Sequence, residues 1–175
     1  MAVSKPFNLN SWIDEHRHLL KPPVGNIQVY KDVQDFIVMV VGGPNSRKDF
    51  HYNETEELFY QLEGSITVEI IDEGKRVPIK INEGEMFLLP ARVPHSPQRG
   101  AGTIGLVIEK VRAGEVNDKF QWYCEKCDHK LYEVTLPVED IVAQLPPVMA
   151  AFYAKEENRT CDKCGAVMEA PRPVQ

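Results

Sequence analysis

The sequence predicts a mainly β fold, a barrel or sandwich of short strands with a small appendage at its C-terminus. Three observations support this prediction: short β-branched or aromatic runs, turn-forming residues between them, and a lack of helical segments among them. Strands that follow one another through tight turns form barrels or sandwiches, because crossover helices are needed to build a parallel sheet. With 175 residues, the chain is long enough for one domain with its own core.

The elements follow in order from the N-terminus. Ser11 resembles an N-cap, and a short helix is expected from there to Leu20, where two prolines stop it. Strand-like runs come next: IQVY (27–30), FIVMVV (36–41), LFYQL (58–62), SITVEI (65–70), VPIKI (77–81), MFLL (86–89) and TIGLVIE (103–109). In 65–70 and 77–81 every second residue is apolar, as in strands with one buried face.

The pattern changes near Gly114. From there the chain carries a CxxC pair, a predicted helix over 138–145, a break at the two prolines that follow, a second helical stretch and another CxxC pair. We therefore expect a barrel with its N-terminal helix over residues 1–113. Residues 114–175 are expected to form a C-terminal segment that carries a metal site.

Charge narrows the range of partners. The formal net charge is -6 and the pI is about 5.4. Nucleic acids and anionic membranes favour a basic face, so neither is expected as a partner. The N-terminal stretch has charges scattered through it, unlike a signal peptide, and no later stretch is long enough to span a bilayer. These features predict a cytoplasmic protein that acts on small molecules.

Two histidines and a glutamate are candidate metal ligands. His51, Glu57 and His95 make up a two-histidine, one-carboxylate set, which suits Fe(II) with open coordination positions. In one straight strand His51 and Glu57 would lie about 20 Å apart, so the chain must turn between them. The polar residues 53–56 have the composition of such a turn. Taken singly, each residue would more often be a solvated side chain, and it is their joint spacing that indicates a site.

Charged residues near this set predict an anionic substrate. Arg47 has the same strand parity as His51, and Arg99 the same parity as His95, so both arginines are expected to enter the cavity. Glu109 is an acid in an apolar strand and needs a partner if it is buried. Arginine binds planar carboxylates through its fork of donors. The competing interpretation is that the arginines are rim charges and Glu109 is a salt-bridge partner at a sheet edge.

The four cysteines form a second candidate site. Cys124 and Cys127 make one CxxC pair, and Cys161 and Cys164 make the other. Four thiolates in two knuckles suit tetrahedral zinc or a rubredoxin-like iron. A thioredoxin-like redox site and a nucleic-acid-binding zinc ribbon are the alternatives, and the acidic surroundings disfavour the ribbon. We favour a structural clip that fixes the C-terminal segment to the barrel.

The spacing of these motifs resembles the two motifs of the cupins, small β-barrels of jelly-roll type that hold a metal inside. His51, Glu57, Gly64, Gly84, Pro90 and His95 carry the resemblance. Three positions depart from the usual cupin pattern: Asn53 replaces a second histidine, Arg92 replaces a glycine, and Arg99 replaces an asparagine. The resemblance therefore implies three protein ligands rather than four, which suits O2 activation.

A more specific resemblance covers nearly the whole chain. The segments KPPVGN (21–26), VVGGPNSRKDFH (40–51), EELFYQLEG (56–64), FLLPARVPHSPQR (87–99) and LVIEK (106–110), with the paired CxxC tail, are similar to the short bacterial or fungal 3-hydroxyanthranilate 3,4-dioxygenases. Phe50 departs from that pattern, in which tyrosine is expected.

This second resemblance implies a ring-cleaving dioxygenase that converts 3-hydroxyanthranilate and O2 to 2-amino-3-carboxymuconate semialdehyde. It implies Fe(II) at His51, Glu57 and His95, with Arg47, Arg99 and Glu109 around the substrate. It also implies iron at the four cysteines, remote from catalysis, and a homodimer. A cupin that only senses a ligand or metal, or a cupin enzyme with another substrate, is the alternative.

Overall fold

The chain forms two antiparallel sheets with helices at both ends. Residues 5–22, 25–112, 117–137 and 141–171 are described by a computed structural model. The strands are β1 (Asn26–Gln28), β2 (Phe36–Gly42), β3 (Asp49–Tyr52), β4 (Glu57–Glu63), β5 (Ile66–Asp72), β6 (Lys75–Ile81), β7 (Met86–Leu89), β8 (His95–Arg99), β9 (Ile104–Lys110), β10 (Asp118–Tyr123) and β11 (Lys130–Leu136). The helices are α1 (Leu9–His16), which runs into a 3₁₀ turn (Arg17–Leu19), α2 (Ile141–Ala154) and α3 (Glu156–Arg159). The mainly β fold with a small C-terminal appendage is thus confirmed.

Each sheet is built from strands distant in sequence. One sheet has the order β1-β2-β9-β4-β7, and the other has the order β11-β10-β3-β8-β5-β6. The hairpin of β5 and β6 turns through Glu73 and Gly74, which both have positive φ, as a tight two-residue turn requires. The predicted division at residue 113 falls between β9 and β10, which belong to different sheets.

The two sheets face each other across a shared core. Phe59, Leu89 and Val107 come from the five-stranded sheet, and Ile66, Val68 and Ile81 come from the six-stranded sheet. Inward and outward residues alternate along β9, where Val107 and Glu109 are buried while Leu106 and Ile108 are only partly so. Glu109 therefore lies on the face opposite Leu106 and Ile108.

Two further apolar clusters cover other surfaces of the sheets. On the N-terminal side, Ile13 and Leu20 pack with Val40 and Ile104. Under the C-terminal segment, four fully or nearly fully buried side chains form the third cluster: Phe120, Trp122, Phe152 and Met168. This third cluster joins α2 to β10, because Phe152 stacks on Trp122 with ring centroids 4.5 Å apart.

Both helix predictions need correction. The N-cap of α1 is Asn8, whose side chain accepts a hydrogen bond from the backbone of Ser11, so Ser11 is not the cap. The predicted break at residues 146 and 147 is wrong within the described residues, because both prolines lie inside α2. Leu145, Val148 and Met149 pack on the third cluster, and this tertiary packing outweighs the cost of proline in a helix. Residues 138–140 of the predicted helix lie outside the described residues.

Four strands were not predicted from the sequence. They are β3, β8, β10 and β11. The strands β3 and β8 consist largely of polar residues that are buried, as in DFHY and HSPQR, so they lack the apolar pattern that identifies a strand.

Among the described residues, no helix has the length and apolar character needed to cross a membrane.

Neighbouring leucines allow a direct test of the N-terminal packing. Leu20 is 4% exposed and Leu19 is 51% exposed. Leu20→Ala should lower the free energy of unfolding by about 2–5 kcal/mol, because it removes a buried side chain and leaves a cavity. Leu19→Ala should change it by less than about 0.5 kcal/mol. Urea unfolding of both variants checks this, and equal effects would contradict the packing described.

Candidate metal centre

His51, Glu57 and His95 meet between the two sheets. His51 on β3 and His95 on β8 are paired across the six-stranded sheet, with ring centroids 5.3 Å apart. Glu57 begins β4 in the opposite sheet, and its Oε2 lies 3.1 Å from Nε2 of His95. The chain changes sheets over residues 53–56, where a turn was predicted. All three residues are buried, and one possible ligand atom from each lies within 4.8 Å of the others.

Both imidazoles are held by groups outside this set. Nδ1 of His95 lies 3.0 Å from the carbonyl oxygen of Val93, and Nε2 of His51 lies 2.7 Å from Oδ2 of Asp118. The ring of Phe120 stacks on that of His51, with centroids 5.1 Å apart and planes inclined by 11°. Metal-binding histidines usually have such a partner on the second ring nitrogen. Sequence reasoning missed Asp118 and Phe120, because both lie on a strand that was not predicted.

The electrostatics of the set favour a cation. Burial opposes ionisation of Glu57, but His95 and His51 outweigh it and lower the pKa of Glu57 to about 2. Burial also opposes protonation of His95, yet the Glu57 carboxylate raises the pKa of His95. Glu57 and His95 therefore favour opposite charges on each other across their 3.1 Å contact. Two imidazoles and one carboxylate, all buried and convergent, fit a divalent transition metal.

Arg99 lies beside the centre without an acidic partner. It is 5% exposed, and no carboxylate of the described residues lies within salt-bridge distance of it. Its only side-chain hydrogen bond in the described part of the chain is a long one, 3.5 Å from Nη1 to Oε1 of Gln61. Burial lowers the pKa of Arg99 to about 10, with Glu57 opposing and Arg47 adding to the effect. A buried guanidinium without a carboxylate partner has N–H donors that can bind an anion.

Arg47 and Glu109 both have charged partners. Arg47 forms a salt bridge with Asp49, which is fully buried and also lies two residues before His51. Glu109 lies opposite Glu57 in the pairing of β9 with β4, and its Oε1 is 2.8 Å from Nη1 of Arg112. Burial and repulsion from Glu57 raise the pKa of Glu109, while Arg112 opposes this. The structure thus brings Arg47, Arg99 and Glu109 close to the predicted metal ligands.

The four cysteines also converge. Sγ of Cys124 lies 3.6 Å from that of Cys164, and Sγ of Cys127 lies 3.6 Å from that of Cys161. The four sulfur atoms all lie within 4.8 Å of one another, and none of these cysteines is in a disulfide. Burial opposes ionisation of Cys161, but backbone N–H groups of Cys164 and Lys163 outweigh it and lower its pKa to about 7. Four sulfurs so arranged fit tetrahedral zinc or iron.

The two knuckles have the backbone that such sites require. Asp128 follows the first CxxC pair and Gly165 follows the second, with φ values of 56° and 71°. Both residues are therefore in the left-handed region, which glycine adopts freely and aspartate tolerates. Asp128 also accepts a hydrogen bond from the backbone of Arg76, which fastens the first knuckle to the six-stranded sheet.

The fold and the centre together define a small two-sheet β-barrel whose buried histidines and glutamate fit a metal ion. Residues 1–153 match the model of the 3-hydroxyanthranilic acid dioxygenase family. A 3-hydroxyanthranilate 3,4-dioxygenase of Xanthomonas oryzae pv. oryzae (strain MAFF 311018) is 54% identical over 166 residues, which cover 95% of this chain and 93% of that protein. One from Shewanella woodyi is 51% identical, over 100% of this chain and 93% of that protein.

The chain belongs to the 3-hydroxyanthranilic acid dioxygenase family, as its motifs predicted. Among solved structures, a cupin-2 domain protein of Shewanella frigidimarina is 20% identical with a TM-score of 0.48, covering 60% of this chain and 94% of that one. Protein NMB1881 of Neisseria meningitidis is also 20% identical, with a TM-score of 0.47 and coverage of 61% and 100%.

Metal binding at the centre should depend on pH. Because the pKa of His95 is raised, a metal must displace its proton near neutral pH. Apparent Co(II) affinity should therefore increase by up to about tenfold per pH unit from about pH 6.5 to the raised pKa of His95, and then level off. Calorimetric titration of protein whose cysteine site is filled with zinc measures both affinity and proton release.

A matched control for this titration is His129→Ala. His129 forms an ion pair with Asp162, away from the centre, so the variant should keep the same pH dependence. An affinity that is independent of pH over this range would contradict the ion pair of Glu57 and His95.

Proposed function

We propose that this chain opens the ring of 3-hydroxyanthranilate with O2, using Fe(II) held by His51, Glu57 and His95. Family membership and relatives of more than 50% identity over nearly the whole chain support the reaction. Both oxygen atoms enter the product, 2-amino-3-carboxymuconate semialdehyde. The observation that carries the site assignment is the buried Arg99, which has no acidic partner among the described residues and lies beside the three ligands.

Arg99 is assigned to the substrate carboxylate. A carboxylate bound to its fork would replace the missing counter-ion and make charge-assisted hydrogen bonds in a site largely closed to water. The nearby glutamates leave Arg99 available, because Glu57 contacts His95 and Glu109 contacts Arg112. The carboxylate would then fix the orientation of the aromatic ring relative to the ligands.

Glu109 and Arg47 are assigned to the reacting groups. The raised pKa of Glu109 makes it a suitable acceptor for a proton from the hydroxyl or amine of the substrate. Arg47, paired with Asp49, supplies positive charge where negative charge develops on oxygen. The ferrous ion, when bound, supplies the chelation of substrate and the electron transfer between ring and O2 that protein side chains lack.

Oxygen consumption tests the function. Metal-free protein should be reconstituted anaerobically with Fe(II) or, as a control, with Zn(II), and then mixed with 3-hydroxyanthranilate. Only the Fe(II) form should consume one O2 per substrate and yield the ring-opened chromophore, because zinc has no redox chemistry. Fe(II) protein that binds substrate without uptake of O2 would instead indicate a ligand-binding protein.

Arg99 can be tested by a variant of similar length. Arg99→Met should raise the KM for 3-hydroxyanthranilate by about thirtyfold or more, since loss of one partner from a buried charge pair costs about 2 kcal/mol or more. The control is Arg92→Met, because Arg92 pairs with Glu54 at the surface. Unchanged KM in Arg99→Met would remove Arg99 from the carboxylate site, and steady-state kinetics decide between these results.

The four cysteines are proposed to hold iron or zinc as a structural clip. Cys124 directly follows β10, and Met168, four residues after Cys164, is buried on Phe120 and Trp122. A metal that joins the two knuckles would fix this cluster over the end of the six-stranded sheet. Paired CxxC motifs with free thiols also favour a reducing compartment, and we propose the cytoplasm.

A homodimer is proposed through the outer face of the five-stranded sheet. Met86 and Leu88 on the edge strand β7 are 63% and 54% exposed, and their neighbours across β4 are Tyr60 and Leu58. Adjacent exposed apolar residues of this kind mark protein contacts.

The dimer can be broken by a charge on this face. Leu88→Lys should shift the protein from dimer to monomer, because it places an ammonium group in an apolar contact. Val167→Lys, at an exposed apolar site on the C-terminal segment, is the control and should leave the dimer intact. Sedimentation equilibrium measures both, and a Leu88→Lys protein that stays dimeric would place the interface elsewhere.

A further inference from the structure

A carboxylate outside the ligand set lies directly behind His51. Oδ2 of Asp118 accepts a hydrogen bond of 2.7 Å from Nε2 of His51, and Asp118 is fully buried at the start of β10. It is not one of the three residues whose ligand atoms converge. The function proposed above gives Asp118 no part in binding the substrate.

One arginine joins this carboxylate to Glu109. Nη2 of Arg112 lies 2.7 Å from Oδ2 of Asp118, and Nε lies 3.1 Å from the same atom. Nη1 lies 2.8 Å from Oε1 of Glu109. The Arg112 side chain is largely buried, and it links β9 of one sheet to β10 of the other, because Glu109 and Asp118 lie on those two strands.

We propose that Asp118 and Arg112 are positioning residues that act as a unit. Asp118 fixes the ring of His51, and Arg112 holds Asp118 and Glu109 at a set separation. The metal ligand and the acid assigned to the substrate are thereby kept in one arrangement across the two sheets. Neither residue touches the reacting atoms in this role.

The chemistry of imidazole supports the proposed role of Asp118 in fixing the ring of His51. A hydrogen bond from Nε2 to a carboxylate places the proton on Nε2 and leaves the lone pair of Nδ1 for a metal. Stacking on Phe120 restricts the ring plane but does not select the tautomer. The second ring nitrogen of His95 is bound by the backbone carbonyl of Val93, whereas that of His51 is bound by the side chain of Asp118. Loss of Asp118 should therefore affect His51 in particular.

The geometry of guanidinium supports the proposed role of Arg112 in holding Asp118 and Glu109. Arginine presents several donors in a rigid plane, so it can bind two carboxylates at once in a fixed relation. Lysine is a compact point charge on a flexible stem, so it lacks the planar fork that holds two carboxylates in a fixed relation. Arg112 binds Asp118 through Nε and Nη2, and it binds Glu109 through Nη1. Lysine cannot reproduce this arrangement.

The role of Asp118 is tested with a metal alone. Co(II) binding to Asp118→Ala should be about 10–100-fold weaker, the usual effect of removing a partner of a metal-bound histidine. The visible spectrum of the Co(II) centre should also change, because the His51 ring is less constrained. Asp14→Ala, which removes an exposed aspartate bound to Arg17, is the matched control and should leave both unchanged.

Asp118→Asn is measured in parallel, because it keeps the shape and one acceptor oxygen while losing the charge. It should give a smaller loss of Co(II) affinity than Asp118→Ala. Wild-type affinity and spectrum in folded Asp118→Ala, or in Asp118→Asn if the alanine variant does not fold, would overturn the role of Asp118. Circular dichroism of the metal-free proteins identifies the folded variants.

The bridge is tested with Arg112→Lys. This variant should weaken Co(II) binding and also raise the KM for 3-hydroxyanthranilate. Arg17→Lys is the control, since Arg17 likewise binds two carboxylates, Asp14 and Glu63, but at the surface. The double variant with Asp118→Asn should lose less Co(II) affinity than the product of the two single losses, because the residues act together.

The substrate half of this inference rests on the proposed function, and the metal half does not. Wild-type Co(II) affinity in folded Arg112→Lys would overturn the bridge. An unchanged KM in an active Arg112→Lys enzyme would overturn its action on Glu109. A wild-type protein without dioxygenase activity would refute the proposed function, while the Co(II) titrations would still decide the role of Asp118.

Discussion

The structure depends on keeping ionised groups inside a small β-barrel. A buried carboxylate is costly unless an opposite charge or donors compensate it, and this barrel encloses Glu57, Asp49, Glu109 and Asp118. Each has a partner: His95 for Glu57, Arg47 for Asp49, and Arg112 for both Glu109 and Asp118. The polar strands β3 and β8 are possible in the barrel interior because their buried side chains take part in these contacts.

The arginines divide into two kinds on this basis. Arg47 and Arg112 each form salt bridges with acids of the protein. Arg99 is buried with no acid of the described residues in reach, and the barrel therefore has a cationic position that an incoming anion would complete. In the proposed function, this difference would let one cavity lined with several charges select the carboxylate end of the substrate. Arg99 would then set the orientation of the substrate, and the paired residues would set the surrounding electrostatic field.

The sequence predicted those parts of the fold that follow from local patterns. The alternation in residues 65–70, the turns at glycine and the CxxC spacing each result from short-range chemistry, and all were found. The spacing of His51, Glu57 and His95 also indicated the centre before the strands that carry them could be identified. What sequence reasoning missed depends on tertiary contacts. Prolines inside α2 are tolerated only because Phe152 and its neighbours pack on β10.

Asp118 and Phe120 illustrate the same limit within the site. Nothing in DKFQWY indicates that Asp118 and Phe120 will contact His51 on a distant strand, since the pairing of β10 with β3 is set by the whole sheet. Arg112 is likewise an ordinary charge in the sequence, just after a strand. Its two carboxylate partners come together only when both sheets are present.

The strand order has a consequence for synthesis of the chain. His51 lies on β3, and both neighbours of β3 in the sheet, β8 and β10, are made later than it. A ribosome must therefore translate residues 118–123 before the ring of His51 has Asp118 beside it and Phe120 on its face. The centre is assembled late, close to the time when the first knuckle emerges at Cys124. The surroundings of His51 are thus complete only after β10 has been made, and Cys161 and Cys164 follow later still.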